Sequence, residues 1–175
     1  MRALPAATAA LAAALLLTAC DEGGAENKSK EKEKAAGTAC AIDRMGVETA
    51  ANAAPAAGDT GTVTVTLTNR GDRCTLRGFP GVDLVGAGAS ATVPVDEAAP
   101  EQRLTLAENA TASFTLTYVR GAEGAAESLA VRKVTFALPG ATATRSFAWS
   151  YGDVARKAEG DAPDASVSGF QTAGD

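Results

Sequence analysis

The run TVTVTLTNRGDRCTLRGFPG, Thr62 to Gly81, decides the fold. Val63, Val65 and Leu67 alternate with Thr62, Thr64, Thr66 and Thr68. A period of two places the apolar side chains on one face of a strand and the hydroxyls on the other. Asn69-Arg70-Gly71-Asp72 reads as a turn, because Asn and Gly tolerate positive φ. The chain then returns through Cys74, Leu76 and Phe79.

Short strands continue on both sides of this hairpin. Cys40 to Glu48 reads as a first strand, with Ile42 and Val47 inward and a bulge near Gly46, followed by a Gly/Ala/Pro loop from Ala50 to Gly61. Downstream come Val82 to Val85, the Gly86-Ala87-Gly88 turn, Ala91 to Val95 and Leu104 to Leu106. In Ala112 to Tyr118, the residues Ala112, Phe114, Leu116 and Tyr118 share a face. Leu129 to Leu138 follows a Gly121–Glu127 loop, Arg145 to Tyr151 puts Phe147, Trp149 and Tyr151 on one side, and Ala165 to Phe170 closes the series. Seven to eight strands with turn signals about every ten residues predict an all-β fold, an antiparallel immunoglobulin-like β-sandwich. No internal repeat is visible.

Composition agrees. The chain has 175 residues, 18 of them Gly, with aromatics at only 5%. Alternating β-branched runs suit a small β domain better than a helical bundle. Net charge is −5 and basic residues have acidic neighbours, so no basic face for nucleic acid emerges. Histidine is absent, which removes Ser-His-Asp and Cys-His catalysis and the usual zinc sites.

The first 39 residues are of a different kind. Residues 1–19 carry Arg2 and then an apolar run from Ala6 to Leu17, too short to span a bilayer comfortably but suited to the core of an export signal. The run ends Leu17-Thr18-Ala19-Cys20, which looks like a bacterial lipobox. In such signals the Cys thiol receives a diacylglyceryl group and the peptide is cut before it, making Cys20 the lipidated first residue of a membrane-anchored protein. Residues 20–39 have no large apolar side chain and read as a disordered tether. Its reach is on the order of 25 Å r.m.s. and roughly 60 Å at full stretch. Lys28, Lys30, Lys32 and Lys34 are offset by Asp21, Glu22, Glu26, Glu31 and Glu33, so a stand-off tether accounts for the segment better than an electrostatic membrane patch. The domain proper is expected over residues 40–171.

With Cys20 assigned to lipid, Cys40 and Cys74 remain in an exported chain, and a disulfide is their natural pairing. A loop of about 35 residues would contribute roughly 4 kcal/mol on the chain-entropy model. The alternatives are a reduced pair or a metal site, for which two thiols without His are poorly equipped.

The lipobox, the tether, Cys40, the strand ending Leu67-Thr68-Asn69-Arg70-Gly71 and the run Cys74-Thr75-Leu76-Arg77-Gly78-Phe79-Pro80-Gly81 together resemble an actinobacterial family of secreted and lipoprotein domains, domain of unknown function 4232. The resemblance covers about Cys40 to Phe170. It implies a β-sandwich outside the cytoplasm and no catalytic residue.

Each individual site candidate has an ordinary structural reading beside the functional one. Arg70-Gly71-Asp72 spells an adhesion tripeptide made of ordinary turn residues. Glu159, Asp161 and Asp164 match no calcium loop and read as a solvated acidic segment. Asp96 and Glu101 have nothing to fix a glycosidase separation. Trp149 and Tyr151 are the candidate ligand-binding platform, although aromatics sharing a strand face are more often core. The expected function is that of a lipid-anchored envelope lipoprotein, on the outer face of the cytoplasmic membrane. Its non-catalytic domain would bind or scaffold an envelope protein, peptide or glycan, without cofactor, metal or nucleic acid. A purely structural envelope protein and a carboxylate-based hydrolase are the alternatives.

Overall fold

In the computed structural model, residues 38–158 and 160–173 are described. The expected signal, the lipidation site Cys20 and most of the tether lie outside them. Thr38–Ala39 forms β1, a 3₁₀ turn spans Ile42–Arg44, and β2 runs Met45–Asn52. Then follow β3 (Thr60–Asn69), β4 (Cys74–Arg77), β5 (Gly81–Gly86), β6 (Ser90–Thr92), β7 (Arg103–Leu106) and β8 (Thr111–Val119). The C-terminal part contributes β9 (Ser128–Leu129), β10 (Val131–Ala137), β11 (Thr144–Ala148), β12 (Val154–Ala155), β13 (Ala165–Val167) and β14 (Gln171–Thr172). The chain is all-β, with two larger antiparallel sheets packed as a sandwich.

One sheet has the order β13-β8-β3-β2, with β14 also paired to β8. The other has the order β11-β10-β5-β6, and two smaller groups, β1-β4-β7 and β12-β9, complete the fold. The centre is the β3–β8 pair, registered without interruption from Thr60 opposite Val119 to Thr68 opposite Thr111. Both strands alternate strictly. Val63, Val65 and Leu67 of β3 and Ala112, Phe114, Leu116 and Tyr118 of β8 are at most 2% exposed. Burying each large apolar side chain stabilises by about 1.5–3 kcal/mol, so this face alone commits the sheet to its orientation. Phe114 meets Phe136 of the opposing sheet edge-on at 5.4 Å and Phe170 at 5.8 Å. One side of the sandwich is closed by a parallel bridge between Val95 and Val167.

The structure departs from the sequence reading at several places. The expected first strand from Cys40 to Glu48 is instead a 3₁₀ turn over Ile42–Arg44 and a strand beginning at Met45. Ile42 still reaches the core and Val47 packs partly against it. No bulge occurs at Gly46, since β2 and β3 stay in register from Met45 opposite Asn69 to Asn52 opposite Thr62. Gly46 makes room for an arginine: a Cβ there would lie 2.6 Å from Arg70 Nε. The loop expected from Ala50 to Gly61 is shorter, because β2 continues to Asn52 and β3 starts at Thr60. The tether ends sooner than expected, since Thr38 and Ala39 pair in parallel with Cys74 and Thr75. The expected long strands near the C-terminus divide into shorter pieces, so the strand segments outnumber the seven or eight foreseen.

Candidate functional site

At the end of the sandwich where the described chain begins, Cys40 and Cys74 form a disulfide with Cα atoms 4.8 Å apart. The Cys40 N–H donates to the Thr75 carbonyl at 3.0 Å, continuing the pairing of β1 with β4. The chain therefore enters alongside a core strand and is bonded covalently to it one residue after β1. A cavity of about 320 Å³ adjoins this junction, lined by Ala39, Cys40, Leu76, Arg77, Leu138 and Pro139 among others.

The neighbouring turn is built around Asn69, which is 1% exposed. Its side-chain amide donates to the carbonyls of Asp72 at 2.9 Å, Ala107 at 3.1 Å and Leu106 at 3.2 Å, while its Oδ1 accepts from Gly71 N–H at 3.0 Å. Positive φ plays no part at Asn69 or Gly71; among the described non-glycine residues only Asn109 adopts it. The turn is held by a buried amide, whose two N–H hydrogens are shared among three carbonyls while its oxygen takes one N–H from the same position. Arg70, Gly71 and Asp72 thus sit on an exposed turn, where with Arg44 and Glu108 they line a polar cavity of about 350 Å³.

Trp149 is a core residue. It is 7% exposed, its ring meets Tyr118 edge-on at 4.9 Å, and its Nε1–H donates to the Gly152 carbonyl at 2.6 Å. Tyr151 stacks edge-on against it at 4.9 Å and is half-buried. The ring that a sugar or peptide would lie on is thus packed against neighbouring aromatics, and the pair forms no open platform. The phenol of Tyr118 accepts from Ala54 N–H at 3.3 Å and donates to the Tyr151 carbonyl at 3.3 Å, pinning two loops at the end opposite the disulfide. Gly61 lies beneath this ring, and a Cβ there would come within 2.6 Å of it. Arg120 completes the junction, donating to the carbonyls of Ala54 at 3.0 Å and Pro55 at 2.9 Å.

The acidic candidates are dispersed. Glu101 accepts from Arg77 Nε at 2.9 Å in an exposed ion pair, whereas Asp96 Oδ1 accepts from the Ala98 N–H. Arg156 binds the Asp161 carbonyl at 2.9 Å, and Glu159 lies outside the described residues. Among the described residues no three His, Cys, Asp or Glu side chains come together as a metal site.

Two open surfaces stand out. Beyond β3, β2 is the edge of its sheet, and Glu48 to Asn52 are exposed along it. The solvent face of the β3–β8 pair is a grid of hydroxyls. Thr62 lies opposite Thr117, Thr64 opposite Thr115, Thr66 opposite Ser113 and Thr68 opposite Thr111. All eight side chains are half-buried. The threonines of β3 are evident in the sequence as one face. The matching row on β8 was signalled by the same period of two in Thr111 to Thr117, but only the register shows that the rows adjoin.

These features define a disulfide-closed, all-β sandwich domain. The chain belongs to the family described as a domain of unknown function (DUF4232), which it matches over residues 40–171. No curated protein matches it.

Proposed function

We propose that this protein is a lipid-anchored envelope lipoprotein, held through Cys20 at the outer face of the cytoplasmic membrane, with a sandwich domain that binds or scaffolds without catalysis. The observation that carries this reading is how the incoming chain is fastened. A two-residue parallel strand would peel away under load on a tether. The Cys40–Cys74 bond instead passes that load to β4, whose Cys74–Arg77 pairs antiparallel with β7. Such fastening suits a domain held from its N-terminal side, and it agrees with the lipobox-like Leu17-Thr18-Ala19-Cys20 and the small polar residues that follow. Stable anchoring needs more than one acyl chain, which a diacylglyceryl group provides. The binding half of the reading is supported by the unpaired β2 edge and the open hydroxyl face, since exposed strand edges accept added strands and uncovered faces accept partners.

The test is Cys20→Ala in the native envelope, followed by membrane fractionation. Loss of the protein from the membrane fraction, with slowed processing, is expected. Unaltered membrane retention with full-rate processing would overturn the anchor.

A further inference from the structure

The cavity of about 320 Å³ beside the disulfide has a charge pattern that runs against the rest of the chain. Arg77 of β4 and Arg103 of β7 both line it, and among the described lining residues none is acidic. The chain as a whole has a net charge of −5.

The two arginines lie directly opposite each other on the antiparallel β4–β7 pair. The Cys40 N–H donates to the Thr75 carbonyl, and the Gly78 N–H donates to the Gln102 carbonyl. Odd-numbered residues of β4 therefore turn their main chain toward β1, and even-numbered ones toward β7. Arg77 and Arg103 are thus a non-hydrogen-bonded pair, the closer kind, with Cα atoms about 4.5 Å apart and side chains on one face. Like charges so placed are destabilising. One carboxylate offsets part of the repulsion, since Glu101 accepts from Arg77 Nε at 2.9 Å. Two guanidinium groups and one carboxylate leave a single positive charge beside the cavity.

The walls narrow the ligand further. Leu76 and Leu138, each 2% exposed, are core residues that line the cavity together with Pro139. Ala39 and Cys40 form another wall, held in place by the Cys40–Cys74 bond. The volume lies at the small end of the range for small-molecule pockets. A planar carboxylate matches a guanidinium fork in geometry and the site in charge, whereas a phosphate monoester brings charge that the site leaves unmatched. A like-charge pair kept beside a cavity is a local exception that the fold itself does not require. We infer that the cavity between β1, β4 and β7 binds a small organic carboxylate, held by Arg77 and Arg103 with its apolar body against Leu138 and Pro139. This site goes beyond the anchored binding module proposed above and does not depend on Cys20.

The test titrates the full chain, purified in nonionic detergent at low salt, with benzoate as the probe. NMR of the arginine Nε–H signals is the readout. Saturable shifts of the Arg77 and Arg103 signals are expected with benzoate, and none with benzamide, its uncharged counterpart. Arg103→Gln should weaken binding about tenfold or more, as for the loss of a charge-assisted hydrogen bond. Glu101→Gln should tighten binding a few-fold, because it removes the competing carboxylate. That gain is of opposite sign to the loss expected if the Arg77–Glu101 pair served only to hold the fold. Arg132→Gln, at an exposed position of β10 outside the cavity lining, should change nothing. No benzoate binding, equal binding of benzamide, or tighter binding of phenyl phosphate would each overturn the assignment. So would undiminished binding in Arg103→Gln or weakened binding in Glu101→Gln. Each of these failures leaves the anchor through Cys20 standing, since membrane fractionation alone reads it.

Discussion

Cys40 and Cys74 are 34 residues apart in sequence, yet their Cα atoms are 4.8 Å apart, and the bond between them fastens the incoming chain to a core strand. Replacing both by Ala should lower stability by about 2–4 kcal/mol, through the loop entropy restored to the unfolded chain. Denaturant unfolding measures this. The parent chain under reductant should approach the double variant, and an unchanged midpoint would mean the crosslink contributes nothing.

Asn69 is buried with its amide divided among three carbonyls, so Asn69→Ala strands acceptors from two loops. The expected cost is about 1–3 kcal/mol in unfolding free energy. Asn69→Asp should cost more at neutral pH, because a carboxylate there would face the carbonyls of Asp72, Leu106 and Ala107. Burial beside those oxygens raises the folded-state pKa of the introduced acid. Its penalty is therefore present at high pH and shrinks as pH falls and the group protonates. Denaturation curves across pH check the sign.

Trp149→Ala should cost about 3–5 kcal/mol, as expected for removing a buried aromatic. Tyr118→Phe, which deletes only the hydroxyl between Ala54 N–H and the Tyr151 carbonyl, should cost about 1–3 kcal/mol. Thermal unfolding would register both. A Trp149→Ala chain of unchanged melting temperature would contradict the placement of this ring in the core.

The Arg77–Glu101 pair is the converse case. Its side chains are 69% and 52% exposed, so Arg77→Ala should change stability by no more than about 1 kcal/mol. A larger loss in denaturant unfolding would show that Arg77 supports the adjoining cavity rather than merely pairing at the surface.

What the sequence made legible is what alternation encodes. β3 and β8 announce their buried faces residue by residue, and the two cysteines that follow the lipobox-like run have one natural pairing. The short pieces were less legible. β1 is two residues of Thr and Ala that acquire strand geometry only because β4 is beside them. The turn over Ile42–Arg44 interrupts a run whose apolar spacing suits a strand. The role of Asn69 is tertiary, since the carbonyls of Leu106 and Ala107 that it serves lie more than 35 residues away. The aromatic positions Trp149 and Tyr151 were visible as a face, but which way that face turned depended on the opposing sheet. The hydroxyl grid needed the register of two strands separated by some 40 residues of intervening chain.

The account rests most heavily on Cys20 as the lipidated first residue of the mature protein. Intact-mass spectrometry of the protein extracted from native membranes tests it directly. A chain beginning at Cys20 and heavier by a thioether-linked diacylglyceryl group is the expected result. A mature chain that begins elsewhere, or that carries an unmodified Cys20 thiol, would contradict it.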